Sequence, residues 1–153
     1  MDDVVPLARL FAMATRDLID ELHVRLARQG WPDMRPAFGF TLVAAQQQQP
    51  LTSGDIASLL GVSKQAASKL VDTMAAEGYV TRRPAGDDGR AKIVELTARG
   101  RKLLAAVEEI YAELEAEWAD VIGPERVETM RADLTDVLLA THDGKLPAIR
   151  PNW

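Results

Sequence analysis

The side chains with chemistry to offer in this sequence are cations, amides and hydroxyls rather than nucleophiles. Ser63, Lys64, Gln65, Ser68 and Lys69 lie close together, and at helical spacing they are left pointing outward from one short helix. Hydroxyls, an amide and two ammonium groups at a helix N-terminus can meet base edges and phosphates in a major groove. A helix packed only for structure more often exposes glutamates there. A second group follows, with Arg82, Arg83, Arg90 and Lys92 flanking the turn Pro84-Ala85-Gly86-Asp87-Asp88-Gly89. A thin cationic finger suits the minor groove, whose negative potential attracts an inserted arginine. Asp88, two residues before Arg90, can pair with it and fix its aim, while Asp87-Asp88-Gly89 is also ordinary turn chemistry.

Charge supports the same reading. The 153 residues carry a net charge of −5, which argues against bulk coating of nucleic acid. Residues 61–102 nevertheless hold nine Lys or Arg against five acids, a local +4 in a remainder of −9. A basic segment within an acidic chain is the footprint of a confined phosphate-binding face.

The elements that must position these residues are mostly helical. Apolar residues recur at three- and four-residue steps from Val4 to Ala27, predicting a long amphipathic helix that Gly30 and Pro32 end. A second helix is expected over Pro36–Gln48. Thr52-Ser53-Gly54-Asp55 is a capping box for a third, which Gly61 stops after Leu60. Ser63 caps the fourth, which runs to about Glu77. Ile56, Ala57, Leu60, Val62, Ala67 and Leu70 are apolar where these two helices must pack, and Ala57 is small where they cross. The period then changes, and Tyr79–Arg83 and Ala91–Leu96 read as two strands of a β-hairpin. Thr97 caps a long helix to about Val121 with Leu103, Val107, Ile110, Leu114, Trp118 and Val121 along one stripe. Pro124 opens a last helix that ends near Gly144.

The stretch SGDIASLLGVSKQAASKLVDTMAAEGYV followed by RRPAGDDGRAKIVELTARGRKLL resembles the MarR (multiple antibiotic resistance regulator) family of winged helix-turn-helix repressors. The pattern is carried by Asp88, Arg90, Leu96, Thr97 and Gly100. The fold expected is mainly α with a small β-hairpin wing, a winged helix-turn-helix over about 36–97 flanked by dimerisation helices over about 4–28 and 97–142. The resemblance implies a single domain acting as a homodimer on double-stranded DNA at a pseudo-palindromic operator. It also implies that Ser63, Lys64, Gln65, Ser68 and Lys69 face DNA and that Arg90 is the wing-tip arginine, held by Asp88. Arg82 and Arg83 complete the expected DNA-binding set. Many relatives release DNA when a small aromatic or phenolic effector binds, and His23, Trp31, Met34, Phe38 and Phe40 are the candidates for such a pocket. Ordinary core packing is the competing account of those five.

Other classes are weighed against this. With no cysteine, disulfides and thiol sensing are impossible. His23 and His142 are the only histidines and lack an acidic ligand pattern, so no metal or cofactor is expected. No phosphate loop, nucleophile–base motif or zinc-protease pattern points to an enzyme. A winged-helix module that binds protein instead of DNA is the remaining alternative, opposed by the cations of helix and wing. No apolar run is long enough for a membrane span and the acidic start is unlike a secretory leader, so a cytoplasmic location is expected.

Overall fold

The computed structural model describes residues 4–84, 86 and 92–150. In chain order the elements are α1 (Leu7–Arg28), α2 (Pro36–Gln47), α3 (Ser53–Leu60), α4 (Lys64–Ala76), β1 (Val80–Pro84), β2 (Lys92–Leu96), α5 (Ala98–Ile122) and α6 (Pro124–Thr141). The expected order and types hold. α1 starts at Leu7 rather than Val4 because Pro6 occupies its N-cap, and a residue before proline favours extended backbone.

Local chemistry fixes the boundaries. Thr52 Oγ1 accepts from the Asp55 amide at 3.1 Å while the Asp55 carboxylate accepts from the Thr52 amide at 2.9 Å, closing the capping box of α3. Gly61 ends α3 at φ +67°, a left-handed conformation that costs glycine nothing. Ser63 Oγ accepts from the Ala66 amide at 3.1 Å and caps α4. β1 and β2 pair antiparallel with Val80 opposite Leu96 and Pro84 opposite Lys92. Thr52 adds a bridge to Ile93, and the Val94 amide donates to the Leu51 carbonyl at 2.7 Å, so the hairpin is tied to the entrance of α3.

One apolar core joins these pieces. Leu26, Leu42, Leu51, Ile56, Leu60, Met74, Leu103, Leu104 and Ile110 are fully buried in it. The junction of wing and α5 is especially close. Thr97 Oγ1 donates to the Gly78 carbonyl at 2.6 Å and accepts from the Gly100 amide at 3.0 Å. Gly100 packs so tightly beneath the Tyr79 carbonyl that a Cβ there would lie 2.1 Å from its oxygen.

Outside that core the long helices α1 and α6 pack on α5 yet leave much apolar surface exposed. α6 buries no residue, and in α1 only Leu22 and Leu26 are buried. The apolar stripe of α5 divides after Leu114. Leu103, Val107, Ile110 and Leu114 are buried, whereas Trp118 is half-buried and Val121 is 84% exposed. Among the described residues, no helix is long and apolar enough to cross a membrane.

Candidate nucleic-acid interface

Helix α4 presents its polar residues outward. Ser63, Lys64, Gln65 and Lys69 are exposed and Ser68 is half-buried, while Ala67, Leu70, Val71 and Met74 face the core. The hydroxyl of Ser63 accepts from the helix, which leaves its own proton free to donate. Neither lysine enters an ion pair among the described residues. Two unneutralised ammonium groups therefore add to the positive end of the α4 dipole, an arrangement that attracts phosphate.

The wing arginines differ from expectation in their freedom. Arg82 pairs with Asp72 of α4, and Arg83 Nε meets Glu95 Oε1 across the hairpin at 2.8 Å. Arg82 thus links the wing to α4 as well as adding charge. Nothing in the sequence spacing signalled either pair, because one joins β1 to α4 and the other joins the two strands, contacts made only in the folded chain. Asp88 and Arg90 lie outside the described residues.

The five effector candidates separate into two groups. His23, Met34 and Phe40 line a cavity of about 80 Å³ between α1, α2 and α5, together with Leu22, Val107 and Tyr111. Trp31 and Phe38 do not line it. Phe38 is buried with its ring 6.2 Å from that of Tyr79, and Arg99 stacks between Trp31 and Tyr79 at 5.0 and 5.1 Å. Core packing accounts for those two. Tyr111 is the cavity residue that sequence reasoning missed, since at its position on α5 it reads only as one more apolar residue.

Burial also sets the chemistry of the cavity. His23 Nε2 is buried with no hydrogen-bond partner among the described residues. Desolvation lowers the His23 pKa below its ordinary 6.5, opposed by the nearby Asp20 charge. Desolvation raises the Tyr111 phenol above its ordinary 10.0, helped by Glu108. At neutral pH both groups are uncharged, so they offer neutral hydrogen-bonding atoms in a mostly apolar lining that also includes Arg35 and Glu108. No group of three or more potential metal ligands is clustered among the described residues.

Comparisons with known proteins agree with this geometry. A family model described as MarR family matches residues 41–91, the segment holding α3, α4 and β1. The Staphylococcus aureus MepR–DNA complex superposes with a TM-score of 0.72 and 27% identity, covering 91% of this chain and 100% of that one. MepR in its DNA-binding conformation gives 0.69 and 28%, covering 90% and 100%. Wild-type E. coli MarR without ligand gives 0.73 at 23% identity, covering 90% and 99%. Among curated proteins, no relative matches the chain.

Proposed function

We propose that this chain is a winged-helix transcription regulator of the MarR family, a homodimeric repressor of a pseudo-palindromic operator released by a small effector. It is a DNA-binding regulator and not an enzyme. The observation that carries the repressor reading is the exposed polar face of α4, with Lys64 and Lys69 in no ion pair among the described residues beside Ser63 and Gln65. In the major groove that face gives phosphate attraction from the lysines and base-edge hydrogen bonds from Gln65. The paired wing then lies along the neighbouring minor groove.

Dimerisation follows from surface left uncovered by the single chain. Leu7, Leu10, Phe11 and Met13 of α1 are exposed, as are Met130, Leu134, Val137 and Leu138 of α6. Covering both faces with a second copy joins the N- and C-terminal helices of two protomers and leaves one winged core on each side. Two-fold symmetry places the two α4 helices about 34 Å apart, one turn of DNA.

For the effector, support comes from the mostly apolar cavity beside His23 and Tyr111. Its 80 Å³ is far below the ~300–1,000 Å³ of a drug-sized site, so a small aromatic or phenolic compound must part α1, α2 and α5 to enter. Those helices connect the dimer faces to the winged core, so a ligand that favours the parted state shifts the spacing of the two α4 helices.

The testing experiment is selection of bound sequences from random DNA by the purified protein, with sedimentation in parallel. A palindrome with half-sites one turn apart, bound by a dimer, is expected. Recovery of no preferred sequence would sink the repressor reading.

A further inference from the structure

The segment after α6 does not run free. It returns to the helix-turn-helix, where the Ile149 amide donates to the Leu59 carbonyl at 2.8 Å. Leu59 lies in the last turn of α3, whose closing carbonyls have no amide ahead of them in the helix. The left-handed Gly61 turns the chain away, and its amide bonds to Ser58 while that of Val62 bonds to Ala57. The carbonyl of Leu59 receives neither of these amides, and the C-terminal segment fills it.

That bond fixes the next residue. The side chain of Arg150 lies against the α3–α4 turn, with Nε 3.0 Å and Cγ 3.1 Å from the position a Cβ would take on Gly61. Gly61 is exposed, as are Ser63 and Lys64 just beyond it. Arg150 is exposed too and enters no ion pair among the described residues. Arg16, Arg25, Arg82, Arg83 and Arg131 are used differently, each held by a carboxylate. The fold thus brings a third cation, in no ion pair among the described residues, from residue 150 to the end of the helix-turn-helix that carries Lys64.

We propose that the C-terminal segment 145–150 is a DNA-binding arm whose Arg150, docked on the α3–α4 turn, contacts the phosphate backbone beside the half-site read by α4. The proposal rests on the DNA-binding reading above and adds a contact from outside the winged core. A phosphate contact carries no sequence information, so its loss weakens all sequences alike.

The test uses the full chain with Arg150→Ala and Arg150→Lys, and separately a chain ending at Lys145. Affinity for the selected operator is read by fluorescence anisotropy across a salt series. Each phosphate contact contributes about 0.9 to the slope of log affinity against log salt. With two arms per dimer, Arg150→Ala and the shortened chain should each lower that slope by about two, while Arg150→Lys keeps most of it. Operator and scrambled DNA should be weakened by the same factor. An unchanged slope in Arg150→Ala overturns the arm. A lower melting temperature with an unchanged slope also overturns it, and marks Arg150 as a cap on α3. If the wild-type chain binds no DNA, the regulator reading fails and takes the arm with it; if the wild type binds and only the variants are indistinguishable from it, the arm alone fails.

Discussion

Single atoms decide several features of this molecule. At Gly100 a methyl group would lie 2.1 Å from the Tyr79 carbonyl, backbone against backbone, with no flexible side chain to yield. Gly100→Ala must therefore push α5 away from the base of the wing, at a cost of at least ~1–3 kcal/mol. At Gly54 a methyl would meet only Thr52 Oγ1 at 3.6 Å, an ordinary contact within a helix. Gly54→Ala should be neutral or stabilising by up to about 1 kcal/mol. Urea melts of the two variants check the contrast, and equal effects would show that the Gly100 approach is not tight. His23 gives a pH signature. Its folded-state pKa lies below the ordinary 6.5, so the unfolded chain takes up a proton at a pH where the folded chain does not. The His23 contribution is therefore absent above about 6.5 and becomes destabilising as the pH falls below it. Melting temperature should drop between pH 7.5 and 5.5, and His23→Gln should make that drop smaller. An identical drop in the variant would mean that His23 is protonated freely in the folded state.

Elements were legible wherever a short stretch of chain decides them. Thr52 and Asp55 are three residues apart, so their reciprocal cap can be read directly, as can Gly61, Ser63 and Pro124. The outward face of α4 was legible for the same reason, because helical spacing sorts Lys64, Gln65 and Lys69 from Ala67 and Leu70 without knowledge of any other element. What the spacing could not show are contacts between elements distant in sequence. Trp31 and Phe38 are as aromatic as Phe40, and only the position of Tyr79 and Arg99 draws those two away from the cavity. The docking of residues 149 and 150 on α3 is invisible for the same reason. The Arg82–Asp72 pair joining wing to α4 belongs to this class, and its strength is predictable from exposure. Both side chains are partly solvated, at 32% and 55%, so a double-mutant cycle of Arg82→Ala and Asp72→Ala should give a coupling of about 0.2–1 kcal/mol. A coupling indistinguishable from zero would remove this pair as the link that positions the wing.

At the scale of the whole molecule, the division of α5 after Leu114 separates what one chain buries from what it leaves exposed. The winged core is covered by α2, the first half of α5 and the second half of α1, and is complete within one chain. The remaining halves of α1 and α5, with all of α6, expose Leu10, Phe11, Val121 and Val137. Val137 is 59% exposed, so a carboxylate there costs an isolated protomer little. Within a two-fold interface the same carboxylate would be buried twice, once from each copy, without a partner. Val137→Glu should therefore leave the helical circular dichroism unchanged while sedimentation shifts from dimer to monomer. DNA binding gives a second reading of the same event. A dimer holds the second half-site at high effective concentration, an advantage that a monomer lacks. The variant should lose far more affinity for a two-half-site operator than for a single half-site. Equal losses on both DNAs, or a persistent dimer, would show that α6 does not form the interface and that the apolar face of α1 must be covered some other way.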